Sequence, residues 1–464
     1  MLFSSITFLY YFFPIVLILY FTVPKMLKNT VLLLTSLVFY AWGEPKYVIL
    51  MIISIICGYI CGLLIEKNRK KNAAKLTLLA SCIISLGMLG YFKYADFFIS
   101  NFNAATGLSV PLLKLALPIG ISFYTFQILS YTVDVYRGTV PAQHNLINLA
   151  AYVTMFPQLI AGPIVRYSDV AKQLDERTHS VDKAAEGVRR FICGLSKKIF
   201  IANILGELAG LFLASKQQSV LFCWIYAAAY SLQIYFDFSG YSDMAIGLGK
   251  ILGFDFMDNF NYPYISSSVT EFWRRWHISL GSWFRDYVYI PLGGNRVSKL
   301  KWFRNIFVVW MLTGFWHGAD WNFIVWGLYF AFFLIIEKLY LHKFLSKYKK
   351  IGHCYVLLAV MVSFVIFGAP NFKLAFDCIK GMFGMAGLPL ITAETAYYLR
   401  SYAVILVIAV IGSTPLPKKL YTMAEKNFAA VTAVFQPVVI SVLLIAATAY
   451  LVDGSFNPFL YFRF

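Results

Sequence analysis

The stretch Tyr47–Lys71, YVILMIISIICGYICGLLIEKNRKK, decides the fold. Tyr47–Ile65 carries no charge and is long enough to cross a hydrocarbon core of about 30 Å. In lipid the backbone must satisfy its own hydrogen bonds, so such a run is a helix. Glu66–Lys71 follows, crowded with lysine and arginine, and a basic flank marks the cytoplasmic end of a span. Working outward, Leu2–Val23 is another apolar run, followed by Lys25 and Lys28, and Val31–Trp42 crosses back to a turn at Gly43–Lys46. Both basic flanks give the same orientation, with the N-terminus extracytoplasmic. Leu2–Val23 lacks a basic leading region and a small-residue cleavage site, so it reads as a retained span rather than a signal peptide.

Downstream, apolar runs recur at Leu76–Tyr91, Leu112–Val133, Leu146–Ile164, Phe191–Leu213, Val220–Phe238, Ile306–Phe315, Phe323–Leu339, Tyr355–Phe367, Tyr402–Ile411 and Val431–Leu451. Pro118 and Gly120 break the second of these, which predicts a kinked or re-entrant helix. Asp169–Arg190 mixes both charge signs and predicts a cytoplasmic amphipathic helix pair. The expected architecture is an all-α polytopic bundle of roughly 11–12 spans. Without a repeat or flexible linker, residues 1–464 read as a single integral membrane domain.

The composition agrees: 60% of the 464 residues are hydrophobic and 13% charged, against about 25% charged in soluble domains. The formal charge of +18 sits in short clusters between apolar runs, the distribution that membrane orientation and anionic lipid produce. Nucleic acid is therefore not an expected partner. Seven cysteines lie scattered through apolar stretches, so neither a disulfide framework nor a metal site is expected.

Chemistry concentrates after Phe238. Asp237 and Asp243 flank two serines, and Thr270–Asn295 reads TEFWRRWHISLGSWFRDYVYIPLGGN. Phe272, Trp276, Leu280, Trp283 and Tyr287 make an apolar stripe at helical spacing, so an interfacial amphipathic helix explains much of it. That reading leaves His277, set beside Arg274 and Arg275, without a role. Farther on, Gly314–Trp321 reads GFWHGADW, with His317 inside an apolar region. Intramembrane ionisable groups are costly and mark function, and imidazole moves protons near neutral pH. A structural histidine bonded to a neighbouring helix is the alternative. Asp320, three positions after His317, shares its face if the helix continues through Gly318. Arg274, Arg275 and Arg285 suit the phosphate groups of a ligand, and the competing reading is internal pairing, Glu271 with Arg275 and Arg285 with the neighbouring helix or Asp286. Asp237 either faces the same polar site, or caps or pairs helices.

FWRRWHISLGSWFRDYVYIPLGGN and GFWHGADWNFIVWG resemble the two signature blocks of the membrane-bound O-acyltransferase family, in its bacterial alginate O-acetyltransferase branch. Leu117–Gly138, Met155–Tyr167 and the terminal NPFLYFRF (Asn457–Phe464) are similar to the same branch. The resemblance implies a fold with re-entrant and interfacial helices around a central tunnel. It puts the family's essential histidine at His317 and the second important one at His277. It implies acetyl-CoA as cytoplasmic acyl donor, with no permanently bound cofactor. An exported polysaccharide would be the acceptor, reached with an SGNH-type extracytoplasmic partner and the polysaccharide synthesis machinery. D-alanyl transfer to teichoic acid from a carrier protein and peptidoglycan O-acetylation would use the same histidines. A transporter, a channel or an export scaffold is the reading from another class, but no repeated half with matched broken helices is visible.

Overall fold

The computed structural model describes residues 1–159 and 162–454, so the terminal NPFLYFRF segment lies outside the described residues. Every regular element among them is helical. Seven helices are long and apolar enough to span a membrane: Pro45–Lys67, Asn72–Thr106, Val220–Ile251, Trp321–Lys347, Lys349–Gly368, Ala393–Gly412 and Ala429–Val452. The protein is an all-α, multi-pass membrane protein.

Other apolar runs fold into shorter helices, for identifiable reasons. Leu112–Val133 is not one kinked helix. Leu108–Pro118 is irregular, Gly120 takes φ 76°, and the helix Ile121–Arg137 begins after it. Pro118 has no N–H to give a ladder, and glycine alone takes a left-handed φ without cost. The Asp96 carboxylate meets the amides of the irregular stretch, accepting from Leu113 N at 2.7 Å and Lys114 N at 2.9 Å. Leu146–Ile164 likewise breaks at Met155, between Leu146–Thr154 and Phe156–Leu159. The polar stretch around Asp169–Arg190 forms the expected pair, Tyr167–Asp175 and Val181–Ser196.

The contacts divide the chain into two compact units. One comprises Met1–Phe191 and Met244–Met257, the other Ile192–Asp243 and the chain from Asp258 on. In the first, Ile121–Arg137 is buried along most of its length. Gly58 and Gly62 of the Val48–Lys67 helix let it approach: a Cβ on Gly58 would lie 2.9 Å from Ile128. The second unit carries both motif histidines. Its aromatic core includes Phe272, Trp276, Trp326, Phe330 and Phe364. Helices Lys299–His317 and Trp321–Ile336 form a tight hairpin there, crossing where Gly314 meets Gly327.

Candidate active site

The RRWH block is not one continuous helix. Helix Val269–Arg275 is started by the Ser268 side chain, which accepts from Glu271 N. The buried Glu337 carboxylate also accepts from Val269 N at 2.5 Å and Thr270 N at 2.9 Å. Negative charge at a helix N-terminus is stabilising. The helix ends at Trp276, which is extended, and His277 turns left-handed at φ 46° before helix Ile278–Phe284 begins. The apolar stripe is thereby folded inward. Phe272, Trp276, Leu280 and Trp283 are all buried, which corrects the interfacial-helix reading.

Residues 259–261 replace the hydrogen bonds lost at the break. Asn261 N donates to Arg275 O at 2.9 Å, and Ile278 N donates to Asn259 O at 3.0 Å. His277 is 1% exposed. Its Nδ1 lies 3.2 Å from Asn259 Oδ1, while Nε2 makes no hydrogen bond to the protein. The Phe238 ring stands edge-on at 4.7 Å. Burial pushes the His277 pKa down to about 3, because an apolar surrounding disfavours the charged form.

His317 is the last residue of the Lys299–His317 helix and is 7% exposed. Aromatic rings meet it edge-on, among them Trp316 at 5.0 Å, Trp326 at 5.1 Å and Phe367 at 5.4 Å. Trp316 also lies 6.1 Å from the His277 ring, so both imidazoles contact the same indole. Gly318 is extended, and Asp320 is exposed and caps the next helix by accepting from Trp321 N. The helix therefore ends before Asp320 and does not bring it onto the His317 face.

A cavity of about 520 Å³ opens beside His277, with Trp273, Arg274, Arg285, Trp310 and Thr313 among its lining residues. His317 does not line it, although Thr313, one turn earlier on the same helix, does. The arginines divide. Arg274 reaches the cavity, is exposed and makes no hydrogen bond or ion pair among the described residues. Arg285 reaches it too but holds Asp286 through two bonds of 2.6 and 2.9 Å. Arg275 pairs with Glu271 and donates to Asn261 O at 3.0 Å, away from the cavity. Asp237 is also outside the lining: it pairs with Lys198 at 2.6 Å, both 3% exposed. Asp243 pairs with Lys197 at 2.6 Å.

Sequence reasoning passed over Asn259, Glu337 and the two lysines. Lys197 and Lys198 carried a usable signal, two adjacent cations in an apolar run with two aspartates to receive them. Asn259, in a stretch that reads as a loop, carried none.

The membrane-bound O-acyltransferase family model matches residues 29–376, which include both histidine blocks. The chain belongs to the membrane-bound O-acyltransferase family. This O-acyltransferase is 40% identical over the whole of both chains to the "Probable alginate O-acetylase AlgI" of Azotobacter vinelandii. Identity reaches 46% with the protein of the same description from Pseudomonas aeruginosa, over 82% of this chain and 75% of that one. The "Peptidoglycan O-acetyltransferase" of Helicobacter pylori is 35% identical over 84% of this chain and 81% of its own.

Proposed function

We propose that this O-acyltransferase takes an acetyl group from acetyl-CoA on the cytoplasmic side and delivers it for O-acetylation of an exported polysaccharide. The observation that carries the reading is the meeting of both motif histidines on Trp316, beside a cavity that presents an uncommitted arginine. Full-length similarity to a relative described as an alginate O-acetylase supports a polysaccharide acceptor. The peptidoglycan O-acetyltransferase relative supports a cell-wall glycan as the second reading.

In the reaction, His317 takes the proton of the attacking hydroxyl as its oxygen adds to the thioester carbonyl. The carbon–sulfur bond then breaks, and the imidazolium returns the proton to the leaving thiolate. General base catalysis of this kind contributes about 10²–10⁴-fold. The aromatic walls around His317 suit exclusion of water, against which thioester hydrolysis would otherwise compete. Arg274 offers a guanidinium to the coenzyme phosphates, and His277 positions the substrate. The protein sits in the cell (inner or plasma) membrane with its N-terminus on the extracytoplasmic side, an orientation that the basic flanks at Lys25–Lys28 and Glu66–Lys71 support. An SGNH-type protein outside the membrane would receive or relay the acetyl group.

The test is mass spectrometry of extracellular glycan from cells carrying the wild type or His317→Ala, with labelled acetyl-CoA supplied to the isolated membranes. Label should reach the glycan fraction only with the wild type. Near-normal transfer by a stably inserted His317→Ala protein would sink the assignment of the base.

A further inference from the structure

His277 holds φ 46° and ψ 54°, a left-handed conformation that is uncommon for a side-chain-bearing residue. Asn259 supports it from both ends of its own residue. Its backbone carbonyl accepts from Ile278 N at 3.0 Å, and its side-chain oxygen accepts from Ser279 N at 3.1 Å and Ser279 Oγ at 2.9 Å. The N-terminus of helix Ile278–Phe284 is thus capped by a residue 18 positions upstream of His277, not by its own neighbour.

This capping fixes more than the helix. A backbone N–H can only donate, so the amide atom facing Ser279 N is oxygen and not nitrogen. The same oxygen lies 3.2 Å from His277 Nδ1. It has no hydrogen to give, so Nδ1 carries the ring hydrogen and donates. Ser279 Oγ, 3.4 Å from Nδ1, has directed its hydrogen to Asn259 and offers the ring lone pairs as well. A neutral imidazole has one N–H, so Nε2 is the bare nitrogen. That nitrogen is buried without a hydrogen bond to the protein, on a residue that lines the cavity. The neighbouring rings of Phe238 and Trp316 carry no charge, and burial alone acts on the imidazole, holding it neutral.

We infer that Asn259 is a positioning residue that locks His277 in the Nδ1–H tautomer, so that Nε2 presents a lone pair to an N–H or O–H of the bound substrate. The lock follows from the local geometry, and the use made of Nε2 rests on the acyl-transfer reading. Without Asn259 either ring nitrogen can hold the hydrogen, and an Nε2–H would repel the group that Nε2 should accept.

The experiment uses the full chain in lipid nanodiscs, labelled with ¹⁵N-histidine, with His277→Gln identifying one resonance pair among the six histidines. The wild type should show a protonated Nδ1 and a bare Nε2. Asn259→Leu should lose that preference and lower acetyl-CoA turnover about tenfold or more, with KM for acetyl-CoA little changed. Asn259→Asp should keep the tautomer and restore turnover at neutral pH. Its added carboxylate should raise the imidazole pKa, so its rate falls on acidification at a higher pH than the wild-type rate does. A protonated Nε2 in the wild type overturns the inference, as does a folded Asn259→Leu with tautomer and turnover unchanged. If Asn259→Leu does not fold, Asn259→Asp decides: loss of the tautomer, or an acid limb at the same pH as in the wild type, overturns it. A wild type with the Nδ1–H tautomer but no acetyl-CoA turnover supports the lock and sinks the acyl-transfer reading instead.

Discussion

Gly314 packs against Gly327 with nothing between the two backbones. A Cβ added to Gly314 would meet the carbonyl oxygen of Phe323 and lie 3.3 Å from the Gly327 Cα, and one on Gly327 would meet the carbonyl oxygen of Trp310. The glycine that precedes His317 by three residues is therefore a helix-crossing residue. It sets how closely Trp321–Ile336 approaches the helix that ends in His317.

Because the obstructing atoms are backbone, they cannot move aside as a flexible side chain would. Gly327→Val should cost about 1–3 kcal/mol, the range for overpacking. It should also lower activity, because Trp326, beside the new side chain, packs on His317. Thermal unfolding in detergent, paired with turnover, checks both. An unchanged melting temperature would contradict the close crossing.

The arginines of the RRWH block should separate by phenotype. Arg274→Ala removes a guanidinium that makes no hydrogen bond or ion pair among the described residues, so stability should hold. Acetyl-CoA binding should weaken about tenfold or more, since bonds to charged groups contribute about 1.5–3 kcal/mol. Arg275→Ala severs the Glu271 pair and the bond to Asn261 O, so it should lower the melting temperature with little direct effect on affinity. Titration calorimetry on both variants decides the matter; the reverse pattern would put coenzyme contact on Arg275.

Lys198 and Asp237 form a buried pair, 3% exposed on each side. Removing one charge strands the other, at a cost of about 3–5 kcal/mol. Asp237→Asn should therefore destabilise strongly, and Lys198→Met with Asp237→Leu should recover most of the loss. If Asp237→Asn instead weakened coenzyme binding at full stability, Asp237 would be a binding residue. Chemical or thermal denaturation beside a binding assay separates the two.

Acid should weaken the first unit through His179. Burial lowers its pKa, and the charges of Lys28, Arg177 and Lys183 add to the effect over a bond to Leu252 O. Its Nε2 lies 3.0 Å from Tyr20 Oη. In the unfolded chain the imidazole titrates near its ordinary 6.5, so below that value the unfolded state binds the proton better. The stabilising contribution is present above that value and lost as pH falls through the lower folded pKa. Melting temperatures between about pH 7 and pH 5 should fall more steeply for the wild type than for His179→Gln; parallel curves would exclude His179 as a source.

Length and hydropathy were enough to read the helical, multi-pass class, because lipid leaves a backbone few ways to satisfy its hydrogen bonds. The span count was less legible. Runs such as Leu112–Val133 and Leu146–Ile164 are predominantly apolar, yet break where Pro118, Gly120 and Met155 interrupt the ladder. Periodicity also misjudged the RRWH block. Phe272, Trp276, Leu280 and Trp283 fit one helical stripe, but a left-handed His277 divides that stripe and turns it into the core.

The sequence by itself determined the membrane class, the family resemblance and the two histidines that carry its motifs. Only the tertiary structure decided what those residues touch. It placed both imidazoles on Trp316, tied Arg275, Arg285 and Asp237 into ion pairs, and left Arg274 uncommitted at the cavity. It also brought Asn259 to His277 across 18 residues. Motifs and hydropathy are local properties of a chain, whereas the state of an imidazole depends on which atoms the fold brings within about 3 Å of it.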